Sequence, residues 1–271
     1  MSLIASGKKV VRRGTEVRSI VKAAEVLRCL GVTNAAAGVR FTQLQEMTGL
    51  SKGTLHRIIQ TLISQGFIEQ DRSTRLYFLG VQFLALGAHS ANRRDIQSLA
   101  RSSLVTLAKL SGDTVYLAIR SGAELVCIDA EEGNYPIKVL TLSVGMRRPL
   151  GVGAGGLMLL SALPDNEVEG IIRRNAPRMK DFPSYSPETL RRQVLETRRR
   201  GYALNDGQIL QGMSAVSVGI YGPRKEVLAA LTISATTARM VQSRRTTLVN
   251  WLKKEAQKIS AMACGNNASS Q

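Results

Sequence analysis

The feature that most limits the fold is a short predicted helix, a glycine turn and a second amphipathic helix. Thr42 is expected to cap the first helix, residues 43–48, with Gln45 as its capping-box partner. Gly49 then ends this helix, and Ser51 caps the next one, whose apolar positions repeat with helical spacing. Two helices joined by a tight glycine turn are typical of a helix-turn-helix.

Further predicted helices and strands lie on both sides of this helix-turn-helix pair. An earlier apolar stripe predicts a helix that ends at Gly31, and the helix after the turn ends at Gly66. Two runs rich in aromatic and apolar residues, 67–70 and 75–79, flank the turn sequence that begins at Asp71. Three helices followed by a hairpin predict a winged helix-turn-helix over residues 16–80, preceded by a flexible basic arm, residues 1–15.

The outward face of the helix after the glycine turn carries side chains suited to DNA. Lysine and arginine neutralise phosphates or read guanine, glutamine reads adenine, and a glycine lets the backbone approach the duplex. Arginines in the hairpin turn would meet an adjacent groove. For each of these side chains, a solvated polar surface is the alternative. The predicted DNA-binding residues are Thr42, Ser51, Lys52, Gly53, Thr54, His56, Arg57, Gln60, Arg72 and Arg75.

The charge balance agrees with a polyanionic partner. The 271 residues include 37 Lys or Arg and 20 Asp or Glu, for a net charge of +17. Such an excess favours nucleic acid or an anionic membrane surface without locating the site. No apolar segment is long enough for a signal peptide or a spanning helix, so we expect a cytoplasmic protein with no membrane partner.

Cysteine and histidine are too sparse for a metal site or a disulfide framework. The 3 Cys and 2 His are far apart in the sequence. Cys127 lies on an apolar run and is expected to be a buried hydrophobe, while His56 belongs to the predicted DNA-binding helix. We therefore expect no metal, no cofactor and no enzyme activity. An enzyme acting on an organic acid remains the weaker alternative.

The rest of the chain predicts an α+β domain on an antiparallel sheet. An apolar linker helix, residues 81–93 with a break near 91–94, precedes this domain, which covers residues 94–264 before a flexible tail, 265–271. Strand periodicity begins after Gly112. The predicted strands are 115–119, 124–130, 138–142, 215–221 and 227–235, and the predicted helices are 157–162, 165–175, 187–200 and 244–263.

Two segments of this domain have residues suited to binding an anion. The glycines of residues 151–156 leave backbone N–H groups accessible before a helix, where an anion can bind. Thr232 and Ser234 alternate along a strand, so both hydroxyls lie on one face and need partners. Close packing of the loop, and backbone or water partners for the hydroxyls, explain the same residues without a ligand.

Nearly the whole chain, residues 18–239, resembles the IclR-type family of bacterial transcription regulators. The resemblance depends on TQLQEMTGLSKGTLHRIIQTLISQGFIEQD and YFLGVQFLALG in the first part. The family commonly has Ser where this chain has Gly53, so this chain lacks the side chain that would make that phosphate or base contact. The resemblance implies a GAF-like effector-binding domain after the linker helix.

The resemblance also implies a ligand site in that domain. Matching positions are Gly153 and Ala154, which would offer backbone N–H to a carboxylate, and Asn205, Ala215, Thr232 and Ser234 on the other walls. Family residues that are Lys, Asp and Cys are here Leu157, Asn205 and Ala215. These differences predict a less polar and roomier pocket than one for a two- or three-carbon oxoacid, hence a larger organic acid, with aromatic acids as one class.

The predicted function is a sequence-specific transcriptional regulator whose operator binding is controlled by a small organic acid. One winged domain reads only a short half-site, so we expect a homodimer on a palindromic operator, and the resemblance adds a tetramer as a further assembly. A ligand-independent architectural DNA-binding protein is the alternative, although it leaves about 180 residues of patterned sequence unexplained.

Overall fold

The computed structural model describes residues 17–32, 37–91 and 96–265, with the backbone alone for residues 32, 88–91 and 265. The described residues fold into two compact units, with the division between residues 93 and 94. The predicted basic arm, the predicted break near residues 91–94 and residues 266–271 of the tail lie outside the described residues, apart from the backbone of Ala91.

The described residues of the first unit form three helices, a two-stranded hairpin and a fourth helix. Its helices 2 and 3 are joined by Gly49, which adopts φ +63° and donates its N–H to Gln45 O at 2.8 Å. The elements are α1 Arg18–Val32, α2 Phe41–Thr48, α3 Lys52–Ser64, β1 Ile68–Gln70, β2 Tyr77–Leu79 and α4 Gln82–Ala91.

The core of the first unit forms where the apolar stripes of its helices meet. Leu44 of α2 and Leu55 and Ile59 of α3 are completely buried. Full burial of one such side chain stabilises the fold by about 1.5–3 kcal/mol. The packing therefore holds α3 by one face and leaves its opposite face in solvent.

Thr42 does not cap α2, so the expected capping box is wrong. The helix begins at Phe41 with Arg40 at the N-cap position, and the Arg40 N–H donates to Gln43 Oε1 at 2.9 Å. Val39 exchanges backbone hydrogen bonds with Tyr77 of β2, which fixes the chain just before Arg40. The helix therefore starts earlier than Thr42, which is exposed in its first turn.

In residues 96–265, the second unit forms a six-stranded antiparallel sheet with helices on both faces. The strand order is β5-β4-β3-β8-β7-β6, and every neighbouring pair is antiparallel. Its strands are β3 Thr114–Ser121, β4 Glu124–Glu131, β5 Arg147–Pro149, β6 Ala203–Asp206, β7 Met213–Tyr221 and β8 Val227–Thr236. Its helices are α5 Ile96–Ser111, α6 Gly153–Ser161, α7 Asp165–Asn175, α8 Pro187–Arg200 and α9 Gln242–Gly265, with short 3-10 helices at Ala176–Asp181 and Thr237–Arg239.

Alternation along the strands gives this sheet two apolar faces. Leu117 of β3 and Ile233 of β8 face the core under α5 and α9, together with Leu252 of α9. Leu125 of β4 and Leu159 of α6 belong to the second core, which α6, α7 and α8 cover. The predicted α+β class, with a helix-turn-helix followed by an antiparallel-sheet domain, is confirmed.

The strand expected at residues 138–142 is absent from the described sheet, and the strand at this edge is β5 instead. Residues 132–146 form an irregular loop whose carbonyls bond to side chains. Val139 O accepts from the Tyr116 hydroxyl at 2.6 Å, and Thr141 O accepts from Arg148 Nη2. A segment whose carbonyls are used in this way does not pair as a strand.

The start of one helix and the presence of one strand also differ from the expectation. Helix α6 begins at Gly153, four residues before the predicted start at Leu157, because close packing against the sheet offsets the low helix propensity of its glycines. Strand β6 was not predicted, since two of its four residues, Asn205 and Asp206, are of types that are rare in strands.

Candidate nucleic-acid interface and ligand pocket

The exposed face of α3 brings together most of the predicted DNA-binding side chains. Lys52, Gly53, His56, Arg57 and Gln60 are exposed, at spacings that place them on one side of the helix. Thr54 is half-buried, and Ser51 Oγ donates to Thr54 Oγ1 at 3.0 Å at the start of the helix. A cationic, hydrogen-bonding face on a helix held from behind can enter a major groove.

Gly53 has open space around it in the first unit. A Cβ atom built at this position would meet no atom within 4 Å. Neither a turn nor a neighbouring side chain therefore requires glycine here. The absence of a side chain leaves the backbone at the start of α3 open to a close approach by a ligand.

The hairpin turn that carries Arg72 and Arg75 is held by Asp71. Asp71 Oδ1 accepts four hydrogen bonds of 2.7–3.0 Å from the backbone N–H and hydroxyl groups of Ser73 and Thr74. Hydrogen bonds from Ser73 and Thr74 hold the pKa of Asp71 far below its ordinary value. The carboxylate therefore keeps the turn closed at neutral pH, with both arginines exposed.

A pocket in the second unit brings all six predicted effector residues together. It lies between the sheet and the first turn of α6. Its walls include Gly153, Ala154, Asn205, Ala215, Thr232 and Ser234. Register explains the grouping, because Asn205, Ala215 and Ser234 stand opposite one another on the neighbouring strands β6, β7 and β8.

Glycine in α6 lets the helix approach the sheet at this pocket. A Cβ atom at Gly155 would lie 3.1 Å from Thr232 Oγ1 and 3.2 Å from Leu125 Cδ1. Gly153 has φ +75°, and a Cβ atom there would lie 2.8 Å from Ile209 Cδ1. A larger residue at Gly155 would separate the helix from the sheet, and one at Gly153 would be strained and would displace Ile209; both would reshape the pocket.

Tyr185 connects two walls of the pocket and was not predicted from the sequence. Its hydroxyl accepts from the Gly153 N–H at 3.0 Å and donates to Asn205 Oδ1 at 3.2 Å. The Gly153 amide that was expected to meet a carboxylate is therefore already paired. The Ala154 N–H lies in the first turn of α6, where backbone N–H groups have no acceptor within the helix.

The polar groups of the far wall retain hydrogen-bonding capacity. Thr232 Oγ1 donates to Ser217 Oγ at 2.9 Å, which leaves its oxygen able to accept. Within the described part of the chain, neither the Ser234 hydroxyl nor Asn205 Nδ2 has a hydrogen-bond partner. This wall can bind a polar group of a ligand.

Arg148 also lines the pocket, and the sequence reasoning missed it. It lies on β5 opposite Leu125 of β4. The neighbouring Arg147 instead pairs with Glu124, at 2.7 Å between Nε and Oε2. The available signal was a pair of arginines immediately before the glycine-rich segment, of which strand alternation must send one to each face.

The size of the pocket bears on the class of acid, and the expectation of one roomier than an oxoacid pocket stays a prediction. Its cavity volume is about 40 Å³, whereas a dry apolar cavity that binds benzene has about 150 Å³. An aromatic ring therefore requires movement of a lining side chain such as Arg148 or Ile209.

Two findings concern other kinds of site. In residues 17–32, 37–91 and 96–265, no cluster of three His, Cys, Asp or Glu side chains could hold a metal ion. None of the described helices combines the length and the apolar character needed to cross a bilayer.

Comparison with known proteins gives matches over both units. Residues 19–72 match the IclR helix-turn-helix domain, and residues 88–261 match the C-terminal domain of bacterial transcriptional regulators of the IclR type. The HTH-type transcriptional regulator XynR of Escherichia coli K12 is 29% identical over 230 residues, which cover 83% of this chain and 88% of that protein.

Solved structures share this architecture. An IclR transcriptional regulator from Alicyclobacillus acidocaldarius has a TM-score of 0.74 at 27% identity, covering 92% of this chain and 100% of that one. An IclR homolog from Microbacterium hydrocarbonoxydans, complexed with 4-hydroxybenzoate, has a TM-score of 0.72 at 22% identity and covers 90% and 98% of the two chains. At this identity, the similarity to the Microbacterium protein shows a shared fold.

Proposed function

Because this chain belongs to the IclR family of bacterial DNA-binding transcriptional regulators, we propose that it reads a specific operator and that a small organic acid controls this binding. The observation that carries the proposal is the exposed face of α3, where Lys52, Arg57 and Gln60 lie together on a helix packed from behind. The acid binds in the pocket between α6 and the sheet.

On DNA, α3 enters the major groove. Lys52 and Arg57 contact phosphates or guanine edges, and Gln60 addresses adenine. Arg72 and Arg75 contact the backbone of an adjacent groove from the closed turn at Asp71. The remaining proposed contacts are made by Thr42, Ser51, Gly53, Thr54 and His56. The net charge of +17 strengthens binding to any duplex, so specificity must come from the α3 face.

The regulator acts as a homodimer joined through its first unit. Val81, Leu84 and Leu86 are exposed on or beside α4, with 75% of Leu84 accessible. Burying such side chains against a second copy supplies the hydrophobic energy that association requires. Two α3 helices related by a twofold axis then read a palindrome. A tetramer made of two such dimers is the second assembly that we propose.

The effector is an organic acid held between the first turn of α6 and the polar wall formed by Asn205, Thr232 and Ser234. It changes operator binding only if the two arrangements of the dimer differ in their affinity for the acid. The family homolog solved with 4-hydroxybenzoate supports including aromatic acids among the candidates. Such an acid requires the pocket of about 40 Å³ to widen.

Selection of bound duplexes from a random pool tests this function. The selection is carried out at one fixed salt concentration, because phosphate contacts make affinity salt-dependent. It is repeated without ligand and with pyruvate, glyoxylate, benzoate or 4-hydroxybenzoate. We expect a palindromic consensus whose enrichment changes with at least one acid. Recovery of unrelated sequences under every condition would favour an architectural DNA-binding protein instead.

A further inference from the structure

Arg148 lines the pocket without a carboxylate partner among the residues that the structure describes. Its Nη2 group donates to Thr141 O in the loop of residues 132–146. In the described ranges of the chain, no Asp or Glu oxygen lies within 4 Å of its guanidinium. A guanidinium has five N–H donors, so the bond to Thr141 leaves donors available on the pocket side.

The ionisable groups closest to Arg148 are neutral at neutral pH. Burial raises the pKa of Cys127 to about 12 and that of Tyr185 to about 12. Burial also raises the pKa of Tyr116. Burial lowers the pKa of Arg148, but a guanidinium begins so far above neutrality that it stays protonated. The described pocket therefore contains one uncompensated positive charge.

We infer that Arg148 binds the carboxylate of the effector, an inference that rests on the pocket proposed above. The Thr141 carbonyl orients the guanidinium of Arg148. The N–H groups on the free edge of this guanidinium donate to both oxygens of the carboxylate in a bidentate arrangement. The Gly153 amide, which donates to Tyr185, is not the carboxylate site. Binding an anion here replaces an unpaired charge by a pair, so binding depends strongly on the charge of the ligand.

The opposite wall narrows the chemical class of the ligand. Ser234 and Asn205 Nδ2 lack partners among the described residues and lie at matching register positions on β8 and β6, with Ala215 of β7 between them. Leu125, Leu142 and Val152 supply apolar surface in the same pocket. The ligand is therefore a monocarboxylic acid with a short apolar body and a second group, hydroxyl or oxo, that hydrogen-bonds to this wall.

Binding measurements on the full-length protein test this role. Calorimetric titrations use pyruvate, 2-hydroxybutyrate, benzoate and 4-hydroxybenzoate, each paired with its uncharged amide. The variants are Arg148→Met, Arg148→Lys and the control Arg147→Met, which removes the adjacent arginine while Glu124 keeps its pair with Arg178. We expect at least one acid to bind the wild type and the control with the same Kd within twofold, and its amide to bind at least tenfold more weakly.

Arg148→Met should weaken binding of that acid at least thirtyfold. Arg148→Lys keeps the charge but not the bidentate geometry, so its Kd should lie between those of the wild type and Arg148→Met. Thermal unfolding checks that Arg148→Met is folded; if it is not, Arg148→Lys carries the comparison, with at least fivefold weakening expected. Unchanged Kd in the folded Arg148 variants overturns the inference while leaving the effector pocket in place. Failure of every acid to bind the wild type overturns the pocket as well.

Discussion

The backbone N–H of Gly153 donates to the Tyr185 hydroxyl at 3.0 Å, so the first residue of α6 is tied to the segment before α8. The same hydroxyl donates to Asn205 Oδ1 on β6. One phenol therefore connects three elements around the pocket. The Gly153 amide is therefore already paired, whereas the Arg148 guanidinium keeps donors that a carboxylate can use.

Tyr185→Phe removes this bridge while keeping the buried ring. The Gly153 N–H and Asn205 Oδ1 lose their partner, which should lower the free energy of unfolding by about 1–3 kcal/mol. Urea unfolding of the full-length protein measures the change. Tyr221→Phe is the control, because Tyr221 is exposed, and its stability should stay within about 0.5 kcal/mol of the wild type. Equal stability of the Tyr185→Phe and wild-type proteins would contradict the bridge.

Gly155→Ala tests whether glycine permits the contact of α6 with the sheet. The new methyl group would lie 3.1 Å from Thr232 Oγ1, so the helix or the threonine must shift and the pocket must change shape. We expect at least tenfold weaker acid binding and a stability loss of about 1–3 kcal/mol from overpacking.

Gly170→Ala is the matched control for this substitution. It is also a helical glycine, in α7, but a Cβ atom there meets nothing within 4 Å. It should stabilise the protein by about 0.5–1 kcal/mol through helix propensity and leave acid binding unchanged. If both variants gain stability and retain binding, then the contact between α6 and Thr232 does not restrict the pocket.

Gly53→Ser tests the departure from the residue that the family commonly has. The side chain enters open space, so the fold should gain a few tenths of a kcal/mol from helix propensity. The added hydroxyl can donate to a phosphate at the start of α3, and we expect two- to tenfold tighter operator binding in electrophoretic titrations. Weaker binding would mean that the duplex approaches the Gly53 backbone too closely for a side chain.

The amount of structure that the sequence predicts differs between the two units. In the first, local signals agree with the tertiary packing: the stripe through Leu55 and Ile59 sets which face of α3 is buried. Thr42 is the exception, because the contact between Val39 and Tyr77 fixes the start of α2, and no local pattern contains a contact across 38 residues.

In the second unit, long-range contacts override local preference more often. Residues 138–142 have strand composition but become a loop, since Tyr116 and Arg148 bond to their carbonyls. The effector residues were predicted from the family resemblance, and register accounts for the grouping of these residues at the pocket. Arg148 and Tyr185 were not predicted as pocket residues, because their positions there depend on burial and on neighbours distant in sequence.

Leu84→Glu tests the proposed dimer. Leu84 is 75% exposed on α4, so a charge there should cost the isolated fold little but should disfavour burial against a second copy. Sedimentation at micromolar concentration should give a dimer for the wild type and a monomer for the variant, with loss of tight binding to the palindrome. Leu195→Glu, a 64% exposed position on α8, should remain dimeric. A wild-type monomer that binds the full palindrome tightly would contradict this assembly.

The most direct test of the central claim is the ratio of affinities for the selected operator and for a scrambled duplex of equal length, measured at one salt concentration. We predict a wild-type ratio of at least about 10³, as specific DNA-binding proteins show. Arg57→Ala should lower this ratio by roughly 5- to 150-fold, or about 1–3 kcal/mol, whereas Arg28→Ala, an exposed arginine on α1, should leave it unchanged. A wild-type ratio near one, or a ratio that Arg57→Ala does not change, would contradict operator reading by α3.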